Sequence, residues 1–574
     1  MKLHYIWIED YKGFINQGFN LATDYIFNYS VSNSMLSRIE NKKHIKNFFG
    51  EGITDIIGII GKNASGKTNI LELIQYVVEG ANTIINKPFF AVFNDGSKFI
   101  IYNYRIPQII NNFGAELKNY DGKIPDTNTI FFSNVFDGRR HNFSKKVINI
   151  STNDLLNSQF GENINKNYQK TIQNQIKFIR SPQFKILEDL ENSVSVNENH
   201  KLKPSKVILT SPIWANITNR IRTFEDRFNN ETNSKIELRE FVLNFRKKIT
   251  DNKSVNAIKY FTAFLVFIDF VLNRDILKYS ESSKLHKGSE EYNNILKSLF
   301  EPTQRDFRID EIYKYFTTDF AITIDKYWNV FETYKFLNDL IDTDLGLQSN
   351  TEIKEDIGAY SNRRIQFTLD YNDKVGSFLK SYLEATTNQN LSYSIEWSGI
   401  SSGHKAYINL FANFYSIASR LKQENVMICI DEGDLYFHPK WQTEFLYKLI
   451  NVLPKLLNKK CQLFLTTHSP FLVSDLPKYN LLFVHKNQDS NLSVIPNDEI
   501  DGETFGGNIG ELFLDAFFMQ GSLISHFAAS KIQIMVDKIR ITGGQIDAND
   551  RILISVIGDE LIRSQLKKLA NDKN

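Results

Sequence analysis

Residues 56–71 read IIGIIGKNASGKTNIL, and this stretch decides how the rest of the chain can be organised. Gly61, Gly66, Lys67 and Thr68 fit the spacing G-x-x-x-x-G-K-[ST]. The apolar run before Gly61 has the length of a buried strand, and the residues after Thr68 have the apolar spacing of a helix. A strand, a glycine-containing loop and a helix in this order predict a phosphate-binding loop, because backbone N–H groups there can surround an anion.

The loop and the start of the helix supply the candidate nucleotide-binding residues. The Lys67 ammonium can reach the outer phosphates and assist their transfer, and the Thr68 hydroxyl can bind Mg²⁺. We therefore expect phosphate contacts from Gly61, Lys62, Asn63, Ala64, Ser65, Gly66, Lys67, Thr68 and Asn69.

Two later apolar runs end in polar residues. Residues 425–432 read NVMICIDE, which predicts a buried parallel strand ending in Asp431 and Glu432. Because ligands bind at the carboxyl edge of such sheets, Asp431 is suited to hold Mg²⁺ through water and Glu432 to polarise an attacking water. His468 follows the run at 461–467 and can contact a γ-phosphate at the same edge. The predicted catalytic residues are Glu432, His468 and Lys67, and the predicted metal ligands are Thr68 and Asp431.

A second candidate anion site precedes the helical pattern that begins near residue 402. Ser401, Ser402 and Gly403 form a serine-glycine turn at a helix start, where backbone N–H groups favour an anion. One nucleotide does not need two such sites from one chain, so we expect the second site to face another subunit.

Composition sets outer bounds on the function. A chain of 574 residues needs at least two structural units, and its formal net charge of +2 gives no global electrostatic case for nucleic-acid binding. The two cysteines, Cys429 and Cys461, both lie in apolar runs, which argues against a disulfide framework and a metal cluster. The apolar segment at 260–272 is too short to cross a bilayer. We expect a cytoplasmic protein without membrane contact.

The sequence also predicts strands around the loop. Alternation in residues 1–10 suggests an edge strand followed by a turn at 11–14. Two apolar runs, 89–93 and 98–104, flank the sequence NDGS and predict a hairpin. Residues 129–133 predict a further strand. Together they predict a mixed sheet beside the phosphate-binding core.

These motifs, in this order, resemble the ATP-binding-cassette (ABC) type of ATPase, and more narrowly its RecF/SMC/OLD-like branch. Residues 61–68 look like the Walker A loop, residues 400–405 like the signature, Asp431 and Glu432 like Walker B, and His468 like the switch histidine. The resemblance implies ATP and Mg²⁺ as cofactors and hydrolysis of ATP to ADP and phosphate. It covers about residues 1–143 and 392–477.

The resemblance also implies a head-to-tail dimer, in which Ser401 and Gly403 act on the nucleotide of the other subunit. Turnover in such proteins is slow and regulated by partners. Two departures stand out. His404 replaces the usual Gln or Glu of the signature, and residues 433–439 replace the usual D-loop with a sequence similar to OLD-like and defence-associated ATPases. Ser133 and Asn134 are the candidates for the Q-loop position.

The expected fold class is α/β: an ABC-type ATPase head with a mixed sheet and a parallel P-loop core, interrupted by a largely helical insertion and followed by a short helical C-terminal segment. We divide the chain into an N-terminal ATPase lobe with Walker A (1–181), the mainly helical insertion (182–388), a C-terminal ATPase lobe with the signature, Walker B and switch histidine (389–500) and the helical C-terminal segment (501–574).

The last hundred residues contain no D-x-D pair and leave too little room for the Toprim nuclease domain of OLD proteins, so we expect any nuclease to be a partner. The whole pattern is most similar to the ATPase subunits of bacterial antiphage systems, namely Septu PtuA-like subunits with their retron-associated forms, and PARIS AriA-like subunits as near neighbours. That similarity implies at least a dimer, an effector such as an HNH nuclease, and nucleic acid reached through the complex. A RecF/SMC-like DNA-repair ATPase acting directly on DNA is the alternative.

Overall fold

The computed structural model describes most of the two predicted ATPase lobes. The described residues are 1–80, 84–135, 141–151, 164–194, 202–210, 352–354, 366–386, 394–510 and 525–571, apart from 142, 145–146, 436, 488 and 501, together with 219, 222, 226 and 512. The greater part of the predicted insertion at 182–388 therefore lies outside the described residues.

In the order of the chain, the strands of the first lobe lie before and after the phosphate-binding loop. They are β1 (Lys2–Tyr11), β2 (Phe14–Asn20), β3 (Tyr25–Ser30), β4 (Met35–Glu40), β5 (Ile53–Gly61), β6 (Phe89–Asn94), β7 (Phe99–Tyr104), β8 (Ile110–Asn111), β9 (Glu116–Asn119), β10 (Asn128–Ser133) and β11 (Ile148–Asn149). The later strands are β12 (Lys206–Thr210), β13 (Glu352–Lys354), β14 (Gln366–Asp370), β15 (Ser394–Ser398), β16 (Asn425–Asp431), β17 (Lys460–Thr466), β18 (Leu481–Lys486) and β19 (Leu492–Ile495).

The described helices lie between and after these strands in the chain. They are α1 (Lys67–Glu79), α2 (Ile164–Ile179), α3 (Pro182–Val194), α4 (Asp373–Thr386), α5 (Ser402–Ile417), α6 (Pro439–Leu457), α7 (Pro470–Ser474), α8 (His526–Ile541), α9 (Ala548–Ser555) and α10 (Glu560–Asn571). Short 3₁₀ turns lie at Ala418–Arg420, Lys478–Asn480 and Asn497–Glu499.

The main sheet has twelve strands in the described part of the chain, in the order β11-β10-β16-β17-β5-β18-β19-β2-β1-β6-β7-β9. Its β10-β16-β17-β5-β18 section is parallel throughout. This section brings the ends of β10, β16 and β17 beside the end of β5, where the phosphate-binding loop begins. The expected α/β class with a parallel core inside a mixed sheet is confirmed.

Helices cover both faces of the parallel section. Ile57 and Ile59 of β5 pack in one core with α1, whereas Ile56 and Ile60 pack in the other core with α2, α3, α5 and α6. Successive strand residues point to opposite faces, so an unbroken apolar run is what a strand buried on both sides requires. The rigid layer formed in this way holds the loop at 61–66.

The amino-terminal part of the sheet is antiparallel. The predicted hairpin is present, since β6 pairs with β7 from Phe89–Tyr104 to Asn94–Phe99. The turn predicted at 11–14 is also present, with left-handed backbone at Lys12 and Gly13. The prediction that the first strand is an edge strand is wrong, because β1 pairs with β2 on one side and with β6 on the other.

Two smaller sheets and a helical group complete the described chain. Strands β13-β14-β12-β15 form an antiparallel sheet that includes three strands from the segment predicted to be mainly helical. Strands β3-β4-β8 form the other sheet. The helices α8, α9 and α10 share a small core of their own. Among the described helices, none is both long enough and apolar enough to span a membrane.

Candidate functional site

The loop between β5 and α1 has the backbone that a phosphate site requires. A Cβ at Gly61 would lie 2.1 Å from the Val484 carbonyl oxygen, and Gly66 has a φ of 88°, so both positions need glycine. Ala64 also adopts a left-handed φ, of 61°. The Ser65 hydroxyl is buried and has no hydrogen-bond partner among the described residues. A loop of this shape, with an unpartnered buried hydroxyl, suits an anion that accepts hydrogen bonds.

The Lys67 side chain lies back over the loop. Its Nζ donates to the Gly61 carbonyl at 3.1 Å and to the Lys62 carbonyl at 3.2 Å. Burial lowers the pKa of Lys67 to about 8, although the nearby Glu432 and Asp431 carboxylates act in the opposite direction. The ammonium is therefore partly desolvated and held in position before any phosphate arrives.

Asp431 is the centre of a hydroxyl cluster at the carboxyl edge of the sheet. Its Oδ1 accepts from Thr68 at 3.0 Å and from Thr466 at 2.7 Å, and its Oδ2 accepts from Ser133 at 3.3 Å. Ser133, Asp431 and Thr466 are direct neighbours in the register of three parallel strands. The structure thus brings together the two predicted metal ligands, Thr68 and Asp431.

The donor set fits Mg²⁺, which prefers oxygen ligands and keeps several waters rather than an all-protein cage. Thr68 and Asp431 would hold the ion in that site. Within the described residues, no group of three or more His, Cys, Asp or Glu side chains forms a separate metal site.

Glu432 has a strained backbone next to this cluster. Its φ is 48°, in the left-handed region that non-glycine residues rarely adopt. Its N–H donates both to the Thr466 carbonyl oxygen at 3.2 Å and to the Thr466 hydroxyl at 3.0 Å. Thr466 therefore fixes both acids of the pair, Asp431 through its carboxylate and Glu432 through its backbone.

The predicted switch histidine lies beside the predicted catalytic acid. His468 Nε2 is 3.6 Å from Glu432 Oε1. Burial, assisted by the positive charge of Lys67, lowers the pKa of His468 to about 4. The imidazole is consequently neutral at pH 7, so it can donate one hydrogen bond and accept another.

The signature-like turn forms the start of α5. Ser401 is the N-cap, and its Oγ accepts from the His404 N–H at 3.3 Å, while Ser401 and Ser402 are exposed. Gly403 is instead buried against Trp441, since a Cβ at this position would lie 1.6 Å from an indole carbon. The two serines are open to a ligand or a second subunit, and the glycine is fixed by packing within its own chain.

Both departures from the ABC pattern have a structural role. The His404 imidazole is buried and its Nε2 lies 3.5 Å from Glu191 Oε1 on α3. In the segment after Walker B, the buried Asp434 carboxylate accepts from the Thr467 hydroxyl at 2.8 Å. Thr467 immediately precedes His468, so the unusual D-loop segment holds the histidine turn in place.

Sequence reasoning missed Thr466 and Trp441, and it considered Ser133 only for the Q-loop position. Thr466 could have been noticed from its place at the end of the strand before His468. Nothing local marks Trp441, because its importance comes from its contact with Gly403. Asn134, the other Q-loop candidate, donates from Nδ2 to the Leu435 carbonyl at 3.0 Å and so braces the segment after Walker B.

The fold and the site together define a P-loop NTPase. The profile described as AAA ATPase domain matches residues 38–473, and the chain belongs to that family. Membership implies nucleotide binding. The chain is also 36% identical over 73 residues to the Septu protein PtuA of Bacillus thuringiensis, a match that covers 12% of this chain and 17% of the relative. The matched stretch thus spans under a fifth of the relative's length.

Proposed function

We propose that this chain is the ATP-binding and ATP-hydrolysing subunit of a bacterial antiphage defence complex. It dimerises head to tail around ATP in the cytoplasm and controls a partner effector, an HNH-type nuclease. The observation that carries the ATPase part is the convergence of Thr68, Ser133 and Thr466 on Asp431, directly beside Glu432 and His468. Residues from four separate segments meet there, which supports a role in phosphoryl transfer.

In this proposal, water attacks the γ-phosphorus and the bond to the β,γ-bridging oxygen breaks. ADP and hydrogen phosphate leave, with one water proton kept on the phosphate and the other released to solvent. Mg²⁺, held by Thr68 and Asp431, supplies charge neutralisation for the phosphates. Glu432 orients and polarises the water, and Lys67 stabilises charge on the outer phosphates. His468 donates a hydrogen bond to the γ-phosphate from a ring N–H.

The dimer part of the proposal rests on the exposed N-terminus of α5. Ser401 and Ser402 are exposed there at the start of a helix, which is a position that favours an anion. In the proposal, these groups meet the ATP bound to the loop of a second subunit. Gly403 contributes by allowing α5 to approach Trp441 closely, which fixes the position of the two serines.

The defence role rests on the likeness to the Septu protein and on the motif pattern after Walker B. In this proposal, nucleic-acid cleavage belongs to the effector. Nucleic acid would then contact the complex through that effector rather than this chain alone.

The ATPase part is tested by two substitutions. We expect Glu432→Gln to keep ATP binding and to lower turnover by about 10²-fold or more, since one polarising carboxylate is lost. Lys67→Ala should weaken ATP binding by about 10-fold or more, because a charged hydrogen-bond donor is removed. Glu424→Gln is the matched control, because Glu424 is an exposed acid just before the amino-terminal end of β16. It should change neither ATP binding nor turnover. Unchanged hydrolysis in Glu432→Gln would refute the water-positioning role.

The defence part is tested by expressing the gene with its neighbours and purifying the complex through a tag on this chain. A nuclease that copurifies in fixed ratio with a multimer of the ATPase supports the proposal. A bare chain that dimerises only with ATP and binds duplex DNA in a salt-dependent way would replace it with the DNA-repair alternative.

A further inference from the structure

A cluster of buried charges lies behind the signature turn. The Lys448 ammonium of α6 is fully buried and lies 2.5 Å from Glu191 Oε2 of α3 and 2.7 Å from Glu444 Oε2 of its own helix. His404 of α5 lies 3.5 Å from the other oxygen of Glu191. The cluster therefore joins three helices, and all four side chains are less than a tenth exposed.

The charges in this cluster depend on one another. Burial raises the pKa of Glu191, but its hydrogen bonds and charge contacts with His404 and Lys448 outweigh that effect and lower the pKa to about 2. The Lys448 ammonium also lies 4.2 Å from the centre of the Tyr407 ring. Apolar side chains would hold three helices together without the desolvation cost of buried charges. A buried ion network instead fixes one relative arrangement of the helices.

The helices joined by the cluster carry two parts of the proposed ATP site. His404 lies on the first turn of α5, next to Gly403, and Gly403 packs under Trp441 of α6. The Tyr407 hydroxyl donates to the Trp441 carbonyl at 2.7 Å. The signature turn is thus held against the start of α6 from two sides.

The start of α6 also supports the histidine turn. Ser469 donates from its hydroxyl to Gln442 Oε1 of α6 at 2.9 Å, and its N–H donates to the Thr467 hydroxyl at 2.8 Å. These contacts flank His468. One helix, α6, therefore contacts both turns of the proposed ATP site. The His468 turn is proposed to reach the nucleotide of its own subunit, and the signature turn is proposed to reach the nucleotide of the other subunit.

We propose that Glu191, His404 and Lys448 are positioning residues that set the orientation of the signature turn on α6, so that ATP-dependent closure of the dimer requires this cluster. The inference rests on the proposed function, because it concerns the same ATP-bridged dimer. It adds a role for residues that contact neither the nucleotide-binding loop nor the predicted metal ligands. It also assigns a function to His404, the main departure of this chain from the signature pattern.

The test uses the full chain carrying Glu432→Gln, so that ATP is bound without turnover. Two constants are measured by separate methods: ATP affinity of the monomer at low protein concentration, and the dimer dissociation constant with saturating Mg-ATP by analytical ultracentrifugation. Adding Glu191→Gln should raise the dimer dissociation constant by about 10-fold or more and leave monomer ATP affinity unchanged. Glu191→Asp, which keeps the charge, should recover part of the loss.

Two further variants separate positioning from stability. Lys2→Met breaks a partly buried ion pair away from the signature turn, that of Lys2 with Asp55 at 2.9 Å. It should lower the melting temperature without weakening the dimer. A neutral triple variant, Glu191→Gln with Glu444→Gln and Lys448→Met, removes the unpaired charges and should recover the melting temperature while the dimer stays weak.

The outcomes distinguish this inference from the proposed function. If the Glu432→Gln parent does not dimerise with ATP, the head-to-tail proposal is wrong and the inference falls with it. If the parent dimerises and Glu191→Gln dimerises equally well, only the inference is overturned. Wild-type dimerisation by the neutral triple variant would likewise overturn it, because the charges would then serve stability alone.

Discussion

The pKa of Lys67 predicts how ATP affinity depends on pH. Burial lowers this pKa to about 8, so the ammonium of the free protein is about nine-tenths charged at pH 7 and about one-tenth charged at pH 9. Bound phosphates stabilise the charged form, so the pKa rises on binding. Well below pH 8 the free protein already carries the proton, and affinity is nearly constant. Above pH 8 binding must take up a proton, and affinity falls.

The expected loss is about 5-fold between pH 8 and pH 9, or about 1 kcal/mol of binding free energy, because the charged fraction falls from about one-half to about one-tenth. Titration calorimetry of Mg-ATP with the Glu432→Gln protein from pH 7 to 9.5 measures it. Terminal phosphates ionise near pH 6, so the nucleotide itself changes little over this range. At pH 8, buffers of different ionisation enthalpy should report uptake of about half a proton.

Lys67→Arg is the matched control, because a guanidinium stays charged throughout this range. The ATP affinity of this variant, whatever its absolute value, should no longer decrease as the pH rises above 8. A wild-type affinity that is flat from pH 7 to 9.5, with no proton uptake at pH 8, would refute the reasoning that burial in the loop perturbs Lys67.

Three other predictions follow from packing and burial. Gly403→Ala should destabilise the protein by about 1–3 kcal/mol in denaturant unfolding, because the new methyl group overlaps the Trp441 indole, and Trp441→Leu in the same chain should recover part of that loss. Thr466→Val removes hydroxyl contacts to Asp431 and Glu432, so we expect lower stability and a higher Mg²⁺ requirement for turnover, and an unchanged Mg²⁺ titration would contradict this. Burial raises the pKa of the Cys429 and Cys461 thiols to about 12, so neither should react with a thiol reagent at pH 8 until the protein is unfolded.

Several expectations about the fold were confirmed because they depend on local pattern. The apolar run of β5 and the helix after Thr68 appear where the sequence placed them, since strand and helix periods are readable over ten residues. The hairpin at β6 and β7 was readable from its turn residues. The edge position predicted for β1 failed because alternation shows how a strand's faces are buried, not how many neighbours it has.

The site likewise contains residues that the local sequence pattern identifies and contacts that depend on the tertiary structure. Asp431 and Glu432 could be recognised because carboxylates at the end of a buried strand cost free energy unless they have a partner or a function. Thr466 could be noticed from its position at the end of a strand, but its contact with Asp431 could not be predicted, since that contact depends on the register of β16 and β17. Likewise, Trp441 acquires its role from the path of α6 over Gly403.

By itself, the sequence determined the phosphate-binding loop, the acid pair and the α/β class, because each depends on residues that are close in the chain and on backbone geometry that those residues impose. Only the tertiary structure decided which hydroxyls converge on Asp431, which neighbour buries Gly403, and that Glu191, His404 and Lys448 form one charged cluster. Glu191 and Lys448 are 257 positions apart in the chain. Contacts over such separations follow from strand order and helix packing, which hydrophobic pattern constrains but does not specify.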